Sequence, residues 1–480
     1  MNRSLPSSII LLQLTALILY AGRAQPVEAK DSPMNVVFIL ADDLGWADLA
    51  CYGGDYHQTP NIDRLADSGV RFTQAYSASP VCTPTRASIM TGKHPARLHM
   101  TIWSEAAINP PMDRKMFPAE SEPNLPLAEH TLAEAFKEAG YETAHIGKWH
   151  LGDANHYPET QGFDWNIGGT HWGAPATFFF PYRGPFHEEI RYVPHLEGGK
   201  AGEYLTNRLT DEALAFIERP RESPFFLYMA YHSVHTPIEA PEADVEAYRK
   251  KLKPEYKHQN PIYAAMVSTL DKNVGRILEK LETLGISENT IVIFASDNGG
   301  FVFPYRNTGV VTDNFPLRSG KGSLYEGGIR VPFIAKVPGL TPSGVECDTQ
   351  VSSVDFYPTL LDLTGIEISA DAREVQDGVS LVSQLKDPDK SLEDRALYFH
   401  YPHYYFAPKT TPCSAIRKGD WKLIEHFEDE KVELFNLAED LSESKDLSKE
   451  NPEKTSELMN DLKVWRDRVD AQMPKPNPNS

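Results

Sequence analysis

The stretch "NVVFILADDLG", Asn35 to Gly45, decides the fold of this chain. Six consecutive apolar residues, from Val36 to Ala41, are followed at once by Asp42 and Asp43. A short apolar run without polar alternation is typical of a strand that is buried on both faces, as in a parallel sheet covered by helices. The sequence therefore predicts a buried parallel strand with two carboxylates at its carboxyl end.

Three later stretches have the same form: "TAHIGKWHLG" (143–152), "PFFLYMAYHSVHTP" (224–237) and "NTIVIFASDNGG" (289–300). The polar residues that follow their apolar runs are Lys148, His150, His232, His235, Asp297 and Asn298. Helical patterns such as "YLTNRLTDEALAFIE" separate these strands, which predicts an α/β fold with a large, mostly parallel sheet sandwiched by helices. Because ligands bind at the carboxyl ends of such strands, we expect the polar residues to meet at one edge.

The pattern changes after residue 385. "SAIRKGDWKLIEHFEDEKVELFNL" alternates apolar and polar residues and predicts an antiparallel meander, and "PEKTSELMNDLKVWRDRVDAQM" predicts an amphipathic helix packed on it. We therefore divide the chain into a signal peptide (1–29), a catalytic α/β domain (30–385) and a smaller C-terminal α+β domain (386–480). The tail "PKPNPNS" is predicted to be disordered.

The first residues indicate export, to the periplasm or the exterior. Arg3 precedes an apolar stretch from Ile9 to Ala21, which has the length of a signal peptide and is shorter than a membrane span. Cleavage after Ala24 or after Ala29 fits, and a membrane anchor is the alternative. No later stretch predicts a transmembrane segment in the mature chain.

The overall composition narrows the classes of partner. The chain has 480 residues and a formal net charge of −20, which argues against nucleic acid as a partner. An anionic substrate would therefore have to be attracted by a few local cations rather than by the field of the whole chain. Four cysteines are too few for a disulfide scaffold, although one pair among Cys51, Cys347 and Cys413 is possible.

Four oxygen-bearing side chains form the first candidate site: Asp42, Asp43, Asp297 and Asn298. Carboxylates placed side by side repel one another unless a cation holds them, and oxygen ligands suit Ca²⁺ or Mg²⁺ better than zinc. Ca²⁺ is preferred for an exported protein because it tolerates irregular oxygen cages. The alternative is two unrelated turns, since Asp and Asn are common turn residues.

Basic and imidazole side chains form a second set. Lys148 and His150 lie two apart, so an extended chain points both into one pocket. His235 is a candidate acid or base, with His232 as its structural neighbour. Lys321, in "RSGKGSLYEGGIR", is flanked by glycines that allow close backbone approach. Their ordinary alternatives are solvated lysines and histidines satisfied in the core.

A single cysteine occupies an unusual position in "VCTPTRASIMTG", residues 81–92. Pro84 suits the first turn of a helix through this stretch, and helix N-termini attract anions. With Arg86 beside it, Cys82 is expected to have a depressed pKa and to be reactive. The alternative is a buried, inert cysteine.

These residues resemble the type I sulfatases of the alkaline phosphatase superfamily, particularly the exported bacterial arylsulfatases and carbohydrate sulfatases. "CTPTR" resembles their Cys-x-Pro-x-Arg signature, with Thr85 where the family more often has Ser. "ADDLG", "GKWHLG", "HTP", "SDNGG" and "GKGSLYEGGIRVPF" resemble further family motifs and occur in the family's order. The resemblance covers nearly all of the mature chain.

The resemblance implies that a formylglycine-generating enzyme converts Cys82 to Cα-formylglycine, whose hydrate attacks the sulfur of a sulfate ester. It implies one Ca²⁺ per chain on the four oxygen ligands above. Roles in catalysis are implied for Cys82, Arg86, Lys148, His150, His235 and Lys321. Of these, the cations hold the sulfate, His235 protonates the leaving alcohol, and His150 contacts the hydrated aldehyde.

The substrate implied is a sulfated sugar of a polysaccharide or glycosaminoglycan. Large flat side chains and imidazoles suit sugar faces and hydroxyls, and we expect some of them to line the pocket. These are Trp103, His171, Trp172, His400, Tyr401, His403, Tyr404 and Tyr405. Two alternatives remain open: a formylglycine-dependent phosphonate or phosphate ester hydrolase, and a catalytically silent glycan-binding homologue.

Overall fold

The computed structural model describes Met1 and residues 33–186, 189–392, 395–407 and 409–480. Apart from Met1, the predicted signal peptide lies outside the described residues. The chain divides into two units, Met1–Pro33 and Met34–Ser480, and every element below belongs to the second. Among the described residues, no helix is both long and apolar enough to span a bilayer.

The described strands are numbered in chain order. They are β1 (Asn35–Ala41), β2 (Val70–Phe72), β3 (Ala75–Tyr76), β4 (Met116–Phe117), β5 (Glu142–Gly147), β6 (Trp165–Ile167), β7 (Arg183–Phe186), β8 (Glu189–Tyr192), β9 (Phe225–Ala230), β10 (Thr290–Ser296), β11 (Phe333–Lys336), β12 (Val345–Cys347), β13 (Val351–Ser352), β14 (Ala396–Tyr401), β15 (Cys413–Lys418), β16 (Trp421–His426), β17 (Val432–Asn436) and β18 (Lys475–Pro476).

The described α-helices are numbered in the same way. They are α1 (Pro60–Asp67), α2 (Cys82–Thr91), α3 (Ser104–Ile108), α4 (Leu132–Glu138), α5 (Leu205–Glu218), α6 (Glu242–Arg249), α7 (Pro261–Thr283), α8 (Glu326–Ile329), α9 (Phe356–Thr364), α10 (Ala370–Glu374), α11 (Val382–Lys386) and α12 (Pro452–Arg468).

The large sheet has the order β12-β2-β11-β10-β1-β9-β5-β6. Strands β10, β1, β9, β5 and β6 pair in parallel, and β11 is antiparallel to both of its neighbours. The prediction of a large, mostly parallel sheet is therefore confirmed. All four strands predicted from their polar ends lie side by side at its centre.

Helices cover both faces of this sheet, as the apolar run in β1 predicts. Val37 and Ile39 pack in one buried cluster with residues of α5 and α7, such as Leu209 and Leu270. Val36, Phe38 and Leu40 point to the opposite face and pack with residues of α2, α4 and α9. Alternate residues of a strand face opposite sides of the sheet, so six consecutive apolar residues make both faces of β1 apolar. Helices on both sides then shield these faces from water.

The C-terminal region also has the predicted form. Strands β14 to β17 make a four-stranded antiparallel meander, and α12 packs against it. Trp465 of α12 stacks on Tyr398 of β14, with ring centroids 4.7 Å apart. The domain boundary at residues 385 and 386 remains a prediction.

The prediction of a disordered tail is wrong. β18 pairs with β4, and the side-chain amide of Asn477 donates to the carbonyl oxygen of Arg114 over 2.8 Å. These contacts compensate the conformational entropy that the tail loses, and their partners lie more than 350 residues earlier in the chain.

Candidate active site

The register of the central strands places the predicted polar residues at one level. Ala41 of β1 pairs with Ser296 of β10, and Leu40 of β1 pairs with Ala230 of β9. Gly147 of β5 is also level with Ala230. The residues that follow these strand ends, including Asp42, Asp297 and Lys148, therefore emerge side by side, although up to about 250 positions separate them in sequence.

The four oxygen-bearing side chains lie together in the interior. Asp42, Asp43, Asp297 and Asn298 are all buried. The amide of Asn298 donates to Asp43 Oδ1 over 2.8 Å, and the backbone N–H of Asp43 donates to Asp297 Oδ1 over 3.2 Å. Asp43 has a φ of 61°, in the left-handed region that Asp tolerates better than most residues, and this turns its carboxylate toward the others.

This donor set fits a hard divalent cation. Asn298 Oδ1 is buried and has no hydrogen-bond partner among the described residues, which is costly unless something else binds it. Burial raises the pKa of Asp42 to about 7, with Asp297 and Asp43 adding to the rise and Lys148 opposing it. Three crowded carboxylates and one orphaned amide oxygen are the ligands that Ca²⁺ accepts.

Each carboxylate has its own cation from the chain. Lys148 Nζ lies 2.8 and 2.9 Å from the oxygens of Asp42, and Lys321 Nζ lies 2.6 Å from Asp43 Oδ1. Arg86 donates from Nε to Asp297 Oδ2 over 2.9 Å. The structure thus brings together the three cations that the sequence singled out.

Cys82 is the first residue of α2 and lies at the centre of this group. Its Sγ is 3.6 Å from Asp42 Oδ1 and 3.4 Å from Lys321 Nζ. Burial raises the pKa of the thiol to about 12, although Lys148 and Lys321 oppose the rise. The expectation of a depressed pKa is therefore wrong, because desolvation of the thiolate outweighs the helix terminus and the nearby cations.

His150 is held by a carboxylate that the sequence analysis did not single out. Its Nε2 lies 3.1 Å from Glu105 Oε2, and its Nδ1 is buried without a partner among the described residues. A carboxylate only accepts, so Nε2 carries the proton and Nδ1 is the free acceptor. Burial lowers the pKa of His150 to about 4, although Glu105 opposes the shift.

His235 faces Asp43 and Lys321. Its Nε2 is 3.5 Å from Asp43 Oδ2, while Nδ1 contacts the carbonyl oxygen of Thr236 at 2.9 Å. Burial lowers its pKa well below the ordinary value, and Lys321 lowers it further. His232 is buried beside the same group, with Nδ1 unpartnered among the described residues.

A cavity of about 550 Å³ opens above these residues. Cys82, Asp43, His150, His235 and Lys321 form its polar floor. Its walls are largely aromatic and include Trp103, Phe301, Tyr305, Tyr405 and Phe406. The site is therefore a charged floor beneath apolar walls, and this form suits a ligand with a small anionic group on a larger body.

Only part of the predicted aromatic set lines this cavity. Trp103 and Tyr405 do so. His171, Trp172, His400, Tyr401, His403 and Tyr404 are not among its lining residues. His400, for example, bonds Ser414 and the carbonyl oxygen of Gln472 inside the C-terminal domain, and Trp172 packs on Tyr192. Composition alone does not distinguish these packing roles from ligand contact.

Arg191 is a second cavity residue that the sequence analysis missed. It lies on β8, with Nη2 3.2 Å from Glu105 Oε1 and its guanidinium 3.8 Å from the ring centroid of Phe186. Glu105 and Arg191 are ordinary charged residues in loop-rich stretches, so nothing in their local sequence marks them. Only the fold brings β8 and α3 to the same wall.

Comparisons with known proteins agree with this geometry. The Sulfatase family model matches residues 34–366, and the family model described as N-sulphoglucosamine sulphohydrolase, C-terminal, matches residues 320–470. A sulfatase of Formosa agariphila is 34% identical, over 96% of this chain and 93% of that protein. Mouse N-acetylgalactosamine-6-sulfatase is 36% identical, over 82% of this chain and 72% of its own length.

Solved structures agree as well. The crystal structure of Ps i-CgsB in complex with k-i-k-neocarrahexaose has a TM-score of 0.74 and 30% identity, over 90% of this chain and 93% of that one. The phosphonate monoester hydrolase of Agrobacterium radiobacter, at 19% identity and a TM-score of 0.64 over 91% of this chain and 96% of that one, shares the fold. The chain therefore belongs to the sulfatase family and is a sulfuric ester hydrolase.

Proposed function

We propose that this protein hydrolyses a sulfate ester of a sulfated carbohydrate, with Cys82 as the formylglycine position and Ca²⁺ on Asp42, Asp43, Asp297 and Asn298. The observation that carries the proposal is the position of Cys82. It lies between a carboxylate and a lysine of the buried charge cluster. It also forms part of the floor of the cavity of about 550 Å³ at the strand ends.

The Cys82 sulfur stands in for the hydroxyl oxygens of a hydrated formylglycine. When present, the aldehyde hydrate supplies a nucleophilic oxygen, and Ca²⁺ supplies positive charge that activates it and binds sulfate. Lys321 Nζ, at 3.4 Å from this position, is placed to contact a bound sulfate oxygen. The Asp42 carboxylate, at 3.6 Å, orients the nucleophile.

The charges of the buried cluster beneath the cavity floor favour an anionic substrate. Asp42, Asp43 and Asp297 are balanced by Lys148, Lys321 and Arg86. A divalent cation on these carboxylates leaves an excess of two positive charges in a buried place. This local excess attracts a sulfate group in spite of the net charge of −20 on the whole chain.

Two histidines move the protons in this proposal. His235 donates to the departing alcohol oxygen, together with Lys321, because a bound sulfate places negative charge beside its imidazole and favours the protonated form. His150 Nδ1, which is the free acceptor, takes a proton from the second hydroxyl of the hydrate after the alcohol has left. The C–O bond to the transferred sulfate then breaks, so that sulfate leaves and the aldehyde re-forms. Glu105 holds His150 in the tautomer that leaves Nδ1 free.

The carbohydrate assignment is supported by relatives and by the cavity walls. Ps i-CgsB is described with k-i-k-neocarrahexaose, and a mouse relative is an N-acetylgalactosamine-6-sulfatase. Trp103, Tyr305 and Tyr405 offer the flat apolar faces on which sugar rings stack.

We further propose that the chain is exported and that a formylglycine-generating enzyme converts Cys82 before the protein folds around it.

The test is a substrate panel on the purified protein, with metal analysis. We expect about one Ca per chain, reversible loss of turnover on chelation, and hydrolysis of sulfated mono- and disaccharides as well as an aryl sulfate. Preferred turnover of an aryl phosphonate or phosphate would favour the related hydrolase. Binding of sulfated sugars without turnover, by a chain whose Cys82 peptide has the aldehyde mass, would favour a silent glycan-binding protein.

A further inference from the structure

A second cluster of metal-binding side chains lies outside the active site. It contains Asp48, at the end of a short turn after β1, His57, in the loop before α1, and His258, in the loop before α7. All three are buried, with exposed fractions of 0%, 4% and 3%. Three polar side chains from distant parts of the chain thus converge where water has little access.

The atoms of this cluster have the spacing of a metal site. His258 Nε2 is 3.4 Å and His57 Nδ1 is 3.6 Å from the same oxygen, Asp48 Oδ1. In a tetrahedral zinc site with bonds of about 2.0–2.1 Å, neighbouring ligand atoms are about 3.3–3.4 Å apart. The separations are longer than good hydrogen bonds and close to the edges of such a tetrahedron.

One of these atoms lacks a partner. His258 Nε2 is buried and makes no hydrogen bond with the described residues. The other ring nitrogen of His258, Nδ1, lies 2.9 Å from Asp55 Oδ1. A ligating histidine commonly donates its second N–H to a carboxylate, which fixes the tautomer and points the remaining nitrogen at the metal.

Outer contacts also fix the carboxylate of Asp48. Its Oδ2 accepts from the backbone N–H of Gly45 and from the Tyr263 hydroxyl, each over 2.6 Å, and its Oδ1 accepts from Thr312 Oγ1. Such supporting hydrogen bonds orient ligands before a metal arrives.

The buried part of the cluster has one carboxylate and no basic side chain paired with it. Among the described residues, no lysine or arginine forms an ion pair with Asp48 or Asp55. Asp55 is exposed, so Asp48 alone brings negative charge into the interior. A cation at Asp48 therefore does not compete with a neighbouring lysine or arginine.

We propose that Asp48, His57 and His258 form a second metal site for a borderline divalent cation such as Zn²⁺, supported by Asp55. Two nitrogens and one oxygen suit zinc, in contrast to the all-oxygen set of the active site. The backbone oxygen of Asp48, which is 2.9 Å from His57 Nδ1, is the nearest candidate for a fourth ligand.

Metal binding here competes with protons, because a ring nitrogen that binds a metal carries no proton. His57 Nδ1 faces the carbonyl oxygen of Asp48 at 2.9 Å, so a metal on Nδ1 would replace the proton of that contact.

The site has a structural consequence for the active site. Tyr263, at the start of α7, donates to Asp48 and also lies 3.3 Å from the carbonyl oxygen of Asp43. A metal on Asp48 and His258 thus ties the loop that carries Asp43 to the beginning of α7. The inference does not depend on the proposed substrate or on formylglycine.

The test is a titration of the chelator-treated protein with Co²⁺, with Ca²⁺ in excess to occupy the oxygen site. We expect about one Co²⁺ per chain, the intense visible absorption of a tetrahedral site, and displacement by one equivalent of Zn²⁺. His57→Gln and His258→Gln should abolish the absorption. Asp55→Asn should weaken Co²⁺ binding by about 10- to 100-fold, the usual effect of losing an outer-shell partner.

The matched control is His400→Gln, which removes another buried imidazole from the C-terminal domain and should leave the titration unchanged. Absence of tetrahedral absorption in the wild-type protein would overturn the proposal, as would an unchanged titration in a folded His258→Gln variant. If both histidine variants fail to fold, X-ray absorption spectroscopy on the zinc form of the wild-type protein identifies the ligand atoms. Imidazole ligands to zinc support the site, and an all-oxygen shell overturns it.

Discussion

Two regions among the described residues bury several charges, and we propose an active site in only one of them. The active-site cluster contains Asp42, Asp43, Asp297, Arg86, Lys148 and Lys321. The interface cluster lies between the large sheet and the C-terminal meander and contains Glu326, Arg330, Arg417, Lys422 and Glu443. Lys422 Nζ is 2.9 Å from Glu326 and 2.8 Å from Glu443. In both clusters burial raises the pKa of one acid, Asp42 or Glu443, to about 7.

The two clusters both bury charges, but only the active-site cluster is accessible from the cavity. Asp43, Cys82 and Lys321 line the large cavity, whereas no member of the interface cluster does. Beside the active-site cluster, Asn298 Oδ1 is buried without a hydrogen-bond partner among the described residues. In the interface cluster Lys422 of β16 lies between two carboxylates, so its charge joins the meander to α8. Perturbed pKa values alone would have selected both clusters.

The largest expected effect is a loss of turnover, which should follow a substitution at the active-site cluster and not one at the interface cluster. Cys82→Ala removes the proposed nucleophile position and should lower turnover of an aryl sulfate by many powers of ten, because no other described group can replace it. The melting temperature should change by only a few degrees, since the side chain is small. Parallel rate and melting measurements on the wild type and the variant check this.

The matched control for this prediction is Cys347→Ala, which removes another buried cysteine, on β12. It should keep the wild-type rate. Turnover by Cys82→Ala within about tenfold of the wild type would disprove a covalent role for this position.

The second prediction breaks the interface cluster. Lys422→Met leaves Glu326 and Glu443 buried without their shared cation and should lower the free energy of unfolding by about 3–5 kcal/mol. The rate constant for sulfate ester hydrolysis below the melting temperature should change less than twofold. Denaturant unfolding and initial rates measure the two quantities.

A surface lysine on the neighbouring strand is the control. Lys418 pairs with Asp461 at 2.9 Å but is about one-third exposed, so Lys418→Met should cost about 1 kcal/mol or less. A large loss of rate in Lys422→Met, with the fold intact, would show that the two clusters are coupled. It would contradict the view that the interface cluster contributes to stability alone.

The third prediction concerns the positioning of His150. Glu105→Gln keeps the side-chain size but removes the charge that holds the imidazole, and should lower kcat by about 10- to 100-fold with little change in KM. A residue that only stabilises the wall of the cavity would change KM or the melting temperature instead. Steady-state kinetics on an aryl sulfate separate these outcomes.

Glu105→Asp is the conservative variant for this test and should restore part of kcat. A Gln variant with wild-type kcat would show that the contact over 3.1 Å does not position His150.

The smallest expected effect is a pH dependence in the interface cluster. The folded-state pKa of Glu443, raised to about 7 chiefly by burial, lies above its ordinary value of 4.5. Between these values the folded chain binds more protons than the unfolded chain, so stability from this group is present below about pH 4.5 and is lost as pH rises through 7.

Glu443→Gln should remove this slope. The difference in unfolding free energy between variant and wild type should therefore change between pH 5 and pH 7.5 by about 2 kcal/mol. Urea unfolding at several pH values measures it, and a difference that is constant across this range would refute the assignment.

Local sequence determined much of this protein. The apolar run of β1 required a strand with two covered faces, and the polar residues after four such runs had to meet because parallel strands end at one edge. The helices α5, α7 and α12 and the meander β14 to β17 followed from periodicity, which reflects a repeating contact with one core. The family motifs singled out Cys82 and three cations, which the structure brings together. Cys82 and Arg86 lie on α2 and Lys148 follows β5, whereas Lys321 lies in the loop between β10 and α8.

Only the tertiary structure decided what depends on distant partners. Glu105 of α3 reaches His150, Arg191 of β8 reaches Glu105, and the tail meets β4 across most of the chain. The pKa of Cys82 depends on desolvation by everything packed around it, which a local pattern of cations does not contain. Likewise His57 and His258 are 201 positions apart and carry no shared motif, so their meeting at Asp48 is a property of the fold.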